Sequence, residues 1–170
     1  MLRPPEDDRL SMLPAPSGSV PGRAPRSLRG MSDQPHPPIV EFAFPGPLRD
    51  TLVAAILDGT KTSTTSTLVE YSIEDEPLPV VGTRQTVVDS DDTAVAVIET
   101  TSVTVAPLAS VDLQHALDEG EGYTSVAEWR AAHERYWHGE PMRAWLGDAD
   151  FTVDDTTMVV LERFRLVEIL

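Results

Sequence analysis

Apolar positions in the first structured part of the chain recur with the period of a helix. Residues three and four apart lie on the same side of a helix, and four apolar residues after residue 47 keep that spacing. The pattern predicts a helix over residues 48–58, with Pro47 suited to its first turn and Gly59 to its stop. Its apolar face carries Leu48, Leu52, Ala55 and Ile56.

Further along the chain the pattern changes to strands. Residues 83–89 and 93–105 are rich in β-branched side chains, and Ser-Asp-Asp at residues 90–92 predicts a hairpin turn between them. The second run is long enough to be a bent strand. A short strand or extended segment is predicted over residues 39–44, and residues 158–161 and 164–169 predict one or two closing strands.

Two more helices are predicted between these strands and the last segment. Ser110 can cap a helix over residues 111–119 that stops at Gly120, and Ser-Val-Ala-Glu at residues 125–128 is a capping box for a helix that runs to Trp137. Helices inserted between mostly antiparallel strands predict an α+β fold. A small β-barrel with flanking helices is the most economical closure.

Composition separates a tail from this domain. Residues 1–38 are rich in Pro, Ser, Gly and Arg and have no hydrophobic period, which predicts a disordered tail ahead of a domain over residues 39–170. Met31 opens a plausible alternative start of the chain. No apolar run is long enough to span a bilayer and no secretory signal is recognisable, so we expect a cytoplasmic protein without a membrane partner.

Charge limits the partners of the domain. The chain has a net charge of −15, and residues 31–170 alone carry −17. Such a domain repels polyphosphate at long range, which argues against tight, nonspecific binding of nucleic acid but leaves room for a local pocket. The chain has no cysteine, and its histidines lack the spacing of metal ligands, so no metal or cofactor is predicted.

One basic residue stands apart. Lys61 is the only lysine of the chain, and the other twelve Lys or Arg residues are all arginines. It lies in a segment of threonines and serines at residues 60–67. Desolvation can turn a lysine into a base, whereas arginine stays protonated in proteins. Lys61 is therefore a candidate for activating a threonine nucleophile, the alternative being an ordinary surface residue.

Three other places carry possible chemistry, each with a structural alternative. Glu99 interrupts a β-branched strand, where alternation allows it to face either the interior or water. Two glutamates in Glu-Gly-Glu-Gly-Tyr at residues 119–123 can bind a cation or orient a substrate hydroxyl, although a solvated loop after a helix is the commoner arrangement. The stripe Trp129, His133 and Trp137 with Arg130 can stack bases, although core packing is more frequent.

These segments together resemble the ASCH domain, a bacterial family with a PUA-like barrel. The resemblance spans about residues 40–165. It rests on four elements in order: Leu-Asp-Gly-Thr-Lys-Thr-Ser-Thr at residues 57–64, Pro-Leu-Pro-Val-Val-Gly at 77–82, Val-Ile-Glu-Thr-Thr at 97–101, and Glu-Gly-Glu-Gly-Tyr at 119–123 followed by Ser125 and Trp129-Arg130.

The resemblance implies a role connected with nucleic acid. Some members are amidohydrolases of acetylcytidine, and Lys61, Thr64 and Glu99 match their lysine, threonine and glutamate. In that scheme Lys61 takes the proton of Thr64, Thr64 attacks the amide carbonyl, Glu99 assists, and amides of a turn at residues 62–65 stabilise the oxyanion. The expected substrate-binding residues are Thr62, Thr65, Arg84, Glu121, Tyr123, Trp129, Arg130 and His133.

Other outcomes stay open. The chain most resembles a subgroup described as RNA-binding, so a non-catalytic RNA- or nucleotide-binding module is an alternative, as is a single-strand ribonuclease of the same fold. The partner is accordingly a small nucleoside or single-stranded RNA. A carboxylate beside a lysine also opposes loss of the lysine proton, which is a tension within the catalytic scheme.

Overall fold

The computed structural model describes residues 37–170, so Met31 and all but the last two residues of the predicted tail lie outside the described residues. The elements in chain order are β1 (Ile39–Val40), α1 (Pro47–Leu57), β2 (Ser63–Thr67), α2 (Leu68–Glu74), β3 (Arg84–Val88), β4 (Ala94–Pro107), a 3-10 turn (Leu108–Ser110), α3 (Leu113–Asp118), α4 (Val126–Trp137), α5 (Glu140–Leu146) and β5 (Met158–Ile169).

The strands form one five-stranded sheet in the order β1-β3-β4-β5-β2. β1 runs parallel to β3, and every other neighbouring pair is antiparallel. The α+β class, the mostly antiparallel strands and the flanking helices are thus confirmed. Within residues 37–170 the edge strands β1 and β2 do not pair with each other, so the sheet is barrel-like but open.

β4 is the long, bent strand that the sequence predicts. It pairs with β3 at its start and with β5 along most of its length, and its register with β5 shifts at two places. Such irregularities bend a strand and increase its twist, which lets a single strand serve both halves of the sheet.

The predicted limits of α1 and α4 hold because the chain carries the expected stops. Ser110 does not cap the helix that follows it: it ends the 3-10 turn, and Asp112 caps the shorter α3 by accepting a hydrogen bond from the His115 amide. Gly59, with φ of +83°, follows α1 in the left-handed region that glycine tolerates best. Ser125 caps α4 by accepting a hydrogen bond from the Glu128 amide. The reciprocal bond differs from the prediction, since the Glu128 carboxylate accepts from the amide and hydroxyl of Thr124.

The hydroxyl-rich segment is the main correction. The turn predicted over residues 62–65 is wrong, because Ser63–Thr67 form β2, whose backbone pairs with β5. Residues 63–67 are extended alongside β5, so they do not form the turn whose amides were expected to stabilise an oxyanion. Helices α2 and α5 were not predicted, and of the one or two closing strands expected over residues 158–169 the structure has one.

Two apolar clusters cover the sheet. One forms around α1 and the other around α3, α4 and α5. Lys61 lies beside the first cluster, since its ammonium is 6.0 Å from the ring centroid of Phe42. The first cluster includes Phe42, Leu52, Ile56, Val87, Ile98 and Phe164; the second includes Leu108, Trp129, Trp137, Met142 and Val159.

Candidate functional site

The lone lysine is buried and paired. Lys61 is 1% exposed. Its ammonium donates to the Glu119 carbonyl oxygen at 3.3 Å and to Oε1 of Glu121 at 3.1 Å. Removing an ammonium group from water is costly unless partners replace the water, so this pair defines a built polar cluster rather than a surface contact.

A glycine brings the acidic segment against the lysine. Gly120 has φ of +69°, and a Cβ on it would lie 2.6 Å from the carbonyl carbon and oxygen of Thr60 and 2.7 Å from the amide nitrogen of Lys61. Only glycine allows this approach. The amide of Thr62 donates to the Asp118 carbonyl oxygen at 2.7 Å, which fixes the end of α3 to the start of β2.

Glu121 is held on both carboxylate oxygens. Lys61 contacts Oε1, and the Tyr123 hydroxyl donates to Oε2 at 2.9 Å. Burial raises the pKa of Glu121 to about 7, despite the opposing charge of Lys61. Burial and the nearby carboxylate also raise the pKa of Tyr123, so its phenol stays a donor.

Glu119 joins β2 to α3. The Thr65 hydroxyl donates to Oε1 of Glu119 at 2.7 Å, and Nε2 of His115 lies 2.8 Å from the same hydroxyl oxygen. The single hydroxyl proton goes to the carboxylate, so Nε2 of His115 must carry a hydrogen and donate to Thr65. The neighbouring Ser63 hydroxyl donates to the His115 carbonyl oxygen at 3.1 Å.

His133 approaches the other oxygen of Glu119. Its Nδ1 lies 2.9 Å from the Trp129 carbonyl oxygen, which only accepts, so Nδ1 carries a hydrogen. Its Nε2 lies 3.2 Å from Oε2 of Glu119, in an orientation that makes an ion-pair contact but not a hydrogen bond. The contact between Nε2 of His133 and Oε2 of Glu119 is attractive when either of the two atoms carries a proton, because two lone pairs would otherwise face each other.

The charge state of Glu119 follows from these neighbours. Burial raises the pKa of Glu119, but the charge of His133, the close polar contacts of His115 and His133, and the charge of Lys61 together hold it well below its usual range. Two buried carboxyl groups two residues apart therefore differ in proton affinity. Glu119 is the fixed anion, and Glu121 is the group that titrates near neutrality.

Glu99 lies elsewhere. Its carboxylate accepts from Nε of Arg84 at 3.0 Å and from Nη2 of Arg165 at 2.6 Å, and these hydrogen bonds lower its pKa. Its neighbours Ile98 and Thr100 are buried, so Glu99 points out from the opposite face of β4. The expected convergence of Glu99 with the buried lysine does not occur.

Thr64 also faces away from the cluster. Strand alternation places it on the opposite side of β2 from Thr65 and next to Glu162, its partner in register on β5. Its Oγ1 is buried and has no hydrogen-bond partner among residues 37–170. No hydrogen bond joins Thr64 to Lys61 within the described part of the chain, so the lysine–threonine contact of the predicted scheme is not formed.

The aromatic stripe is core packing. Trp129 and His133 are fully buried, with ring centroids 4.0 Å apart, so neither presents a face for stacking a base. Arg130 is engaged by Glu134 and by Asp155. Of the predicted substrate-binding residues, Glu121, Tyr123, Thr65 and His133 meet in the buried cluster, whereas Arg84 and Arg130 lie outside it.

The sequence interpretation passed over His115, and it considered Glu119 only as part of the acidic segment, for which it favoured a solvated loop. The signal was present, because His115 and Glu119 are one helical turn apart and so project towards the same strand. Within residues 37–170, no group of three or more His, Asp or Glu side chains is arranged to hold a metal ion. The helices of that region are too short or too polar to cross a membrane.

Comparison with known proteins agrees with this architecture. A model of the ASCH domain matches residues 41–168. An ASCH domain from Lactobacillus crispatus JV V101 is similar, with 28% identity, a TM-score of 0.67 and coverage of 77% of this chain and 79% of the other. Protein EF3133 from Enterococcus faecalis V583 has 25% identity, a TM-score of 0.63 and coverage of 72% and 70%. Among curated proteins, none matches the chain.

Proposed function

The chain belongs to the ASCH domain family, and on that premise we propose that it hydrolyses the amide bond of a small N-acylated, cytidine-like nucleoside. The observation that carries the proposal is the buried contact of Glu121 with the only lysine, Lys61, at 3.1 Å. A carboxyl group whose pKa is about 7 is suited to taking up and releasing a proton at neutral pH.

The roles follow from the geometry. Ionised Glu121 takes a proton from a water molecule that attacks the amide carbonyl, and the ammonium of Lys61 stabilises the oxyanion that forms. Collapse breaks the C–N bond, and the proton held by Glu121 passes to the leaving amine, giving a carboxylic acid and a free amine. Tyr123 orients Glu121 through Oε2. Glu121 therefore takes the place that the sequence assigned to Glu99.

Access requires movement of the acidic segment, because the Glu121 side chain is 1% exposed. Gly120 and Gly122 flank Glu121, and both have φ in the left-handed region. Glycine tolerates large changes of φ and ψ, so this segment has the composition of a hinge. The charge of −17 over residues 31–170 favours a neutral nucleoside over a polyphosphate as the substrate.

Hydrolysis of acetylcytidine, followed by chromatography of the released cytidine, tests the proposal. We expect Glu121→Gln to lose at least about a hundredfold in kcat/KM, because general-base catalysis typically contributes that much. Glu168→Gln is the matched control, since it makes the same change at an exposed position on β5. Absence of turnover by the wild type, or equal turnover by Glu121→Gln, contradicts the proposal.

The variant Lys61→Arg separates two roles for the lysine. Arginine keeps the positive charge but cannot serve as a base. Part of the activity survives if Lys61 stabilises the oxyanion. Activity disappears if Lys61 must instead deprotonate Thr64, and Thr64→Val then fails as well.

A second candidate function is the binding of a phosphate-bearing ligand such as short single-stranded RNA. It is favoured by the exposed arginines beside Glu99, since Arg84 and Arg165 are in register on either side of it. A fluorescence titration with labelled RNA at two salt concentrations tests it, because phosphate contacts strengthen at low salt. Binding that is unaffected by Arg84→Gln with Arg165→Gln argues against this face.

A further inference from the structure

A cavity of about 570 Å³ opens beside α5. Its volume lies within the range of small-molecule sites, and it shares no residue with the buried pair of Lys61 and Glu121. The wall combines one guanidinium, one imidazole and one carboxylate with small side chains. We call it the α5 cavity, and its lining residues are His138, Glu140, Arg143, Ala144, Gly147 and Ala149.

Two of the polar side chains are anchored by the same short segment. Nε of Arg143 donates to the Phe151 carbonyl oxygen at 3.0 Å, and Nε2 of His138 accepts from the Val153 amide at 3.0 Å. Because residues 151 and 153 are two positions apart, these bonds bring the guanidinium and the imidazole to the same part of the cavity wall. Groups that are ordered before a ligand arrives lose less entropy when it binds.

The remaining nitrogens of these two side chains are hydrogen-bond donors. Since Nε2 of His138 accepts, the neutral imidazole carries its hydrogen on Nδ1. Both Nη atoms of Arg143 carry hydrogens, and the guanidinium stays charged in proteins. Within residues 37–170, none of these three nitrogens makes a hydrogen bond. The wall therefore offers a set of donors of the kind that binds a carboxylate.

Arg143 also differs from most arginines of the described region. Residues 37–170 contain seven arginines, and five of them lie within ion-pair distance of a carboxylate: Arg49, Arg84, Arg130, Arg163 and Arg165. The other two are Arg135, which is exposed, and Arg143, which is half-buried against the cavity. In a chain with 28 acidic residues, a half-buried guanidinium without a carboxylate among residues 37–170 points to an anionic group supplied by a ligand.

Glu140 adds the opposite charge to the same wall. It precedes Arg143 by three positions on α5, so the two side chains share one side of the helix, with Cβ atoms about 5–6 Å apart. They nevertheless form no salt bridge with each other, and Glu140 has no ion-pair partner among residues 37–170. An acid and a base that lie side by side and are paired with neither each other nor a neighbour match a ligand that carries both charges.

We propose that the α5 cavity binds a free α-amino acid, with the carboxylate on Arg143 and His138 and the ammonium on Glu140. One carbon atom separates the two charges of such a ligand, which suits charged groups one helical turn apart. Its side chain lies against Ala144 and Ala149. A phosphate would place surplus negative charge beside Glu140, and an amine alone would leave the guanidinium without an anion. The site does not depend on the amide hydrolysis proposed above.

L-leucine is the probe, because two analogues each lack one of its charges. The analogue 4-methylpentanoate lacks the ammonium, and 3-methylbutylamine lacks the carboxylate. We expect L-leucine to shift the backbone amide signals of residues 138–149 in the isotope-labelled full chain. Each analogue should bind at least about tenfold more weakly, because it loses a charge-assisted hydrogen bond. Equal binding of 4-methylpentanoate would reveal a simple anion site and overturn the proposal, as would the absence of shifts with L-leucine.

Substitutions assign each charge of the ligand to a residue. Glu140→Gln should weaken L-leucine about tenfold and leave 4-methylpentanoate unchanged, since that analogue has no ammonium. Arg143→Gln should weaken both ligands, because both carry the carboxylate. Arg135→Gln and Glu168→Gln are the matched controls, since they make the same changes at exposed positions outside the cavity.

The exposed Glu140 keeps the test decisive if Arg143→Gln, which loses its bond to the Phe151 carbonyl, does not fold. Binding of L-leucine that Glu140→Gln does not weaken overturns the proposal, as does a loss of equal size in a control variant. Turnover of acetylcytidine is measured separately and should be unchanged in Glu140→Gln. Failure of the hydrolysis proposal and failure of this one are therefore distinguishable.

Discussion

The two faces of β2 carry the same kind of side chain and use it differently. On one face Ser63, Thr65 and Thr67 each find protein partners, on His115, Glu119 and Glu70 respectively. On the other face Thr64 is buried with none among residues 37–170. Hydroxyls on the first face hydrogen-bond within a buried cluster of charged side chains. On the second face, the Thr64 hydroxyl makes no hydrogen bond to the described residues. Identical residue types are therefore no guide to role until the face is known.

Replacing Lys61 should lower the free energy of unfolding more than any other change to the cluster on the first face of β2. Lys61→Met leaves Glu121 without its cation and removes a charge near Glu119, and breaking a buried pair costs about 4 kcal/mol of unfolding free energy. Urea denaturation at neutral pH measures it. Arg84→Met, at an exposed position, is the control and should cost less than about 1 kcal/mol. Similar losses of unfolding free energy in the two variants would show that the buried pair of Lys61 contributes no more to stability than the exposed pair of Arg84.

The two glycines that flank Glu121 form a matched pair. Gly120→Ala must strain the left-handed backbone and push against Thr60, for about 3 kcal/mol in all. Gly122→Ala meets no atom within 4 Å and should cost only about 1 kcal/mol for the backbone. Thermal melts of the two proteins compare them. Equal destabilisation would mean that the close approach to Thr60 does not matter.

Neighbouring threonines sharpen the comparison directly. Thr65→Val removes hydrogen bonds to Glu119 and His115 and should cost about 2 kcal/mol. Thr64→Val removes a hydroxyl that has no partner in the described residues, so the ligand-free protein should change by less than about 0.5 kcal/mol. Denaturant midpoints separate the two. A large loss of unfolding free energy in Thr64→Val would contradict this, because it would mean that the Thr64 hydroxyl has a hydrogen-bond partner.

The pH dependence of stability has a defined sign. Between 4.5 and about 7 the folded chain holds a proton on Glu121 that the unfolded chain has released. Stability therefore falls as pH rises through that window, by about 3 kcal/mol at most, because one pKa unit corresponds to about 1.4 kcal/mol. The contribution of Glu119 has the opposite sign, because its lowered pKa makes stability rise with pH below 4.5. Subtracting the curve of Glu121→Gln isolates the Glu121 part, and identical curves would contradict it.

The sequence was informative where local patterns decide the structure. The helix that ends at Gly59, the helix capped by Ser125 and the long bent strand follow from spacing and stop signals within short windows. The sequence did not identify β2 as a strand, because its hydroxyl side chains are buried on both faces. It therefore lacks the alternation of apolar and polar residues that marks a half-buried strand. Its partners lie on β5 and α3, far along the chain.

Only part of the candidate site could be predicted from the sequence. Lys61 stood out by composition, and Glu121 and Tyr123 by their glycine-rich segment. The choice between Glu99 and Glu119 required knowledge of which side chain faces inward. Alternation left Glu99 undecided, and a glutamate after a helix reads as solvated until the packing of Gly120 against Thr60 is known. Long-range contact, rather than residue type, settles such cases.

The contact between Lys61 and Glu121 also bears on how the fold persists in time. The two residues are 60 positions apart, as Thr65 and Glu119 are 54 apart. Contacts of such sequence separation require large loops to close first, so they form after the local helices and hairpin. Interactions absent from the folding transition state act chiefly on the rate of unfolding. We therefore expect that removing the buried cluster shortens the lifetime of the native state more than it slows folding.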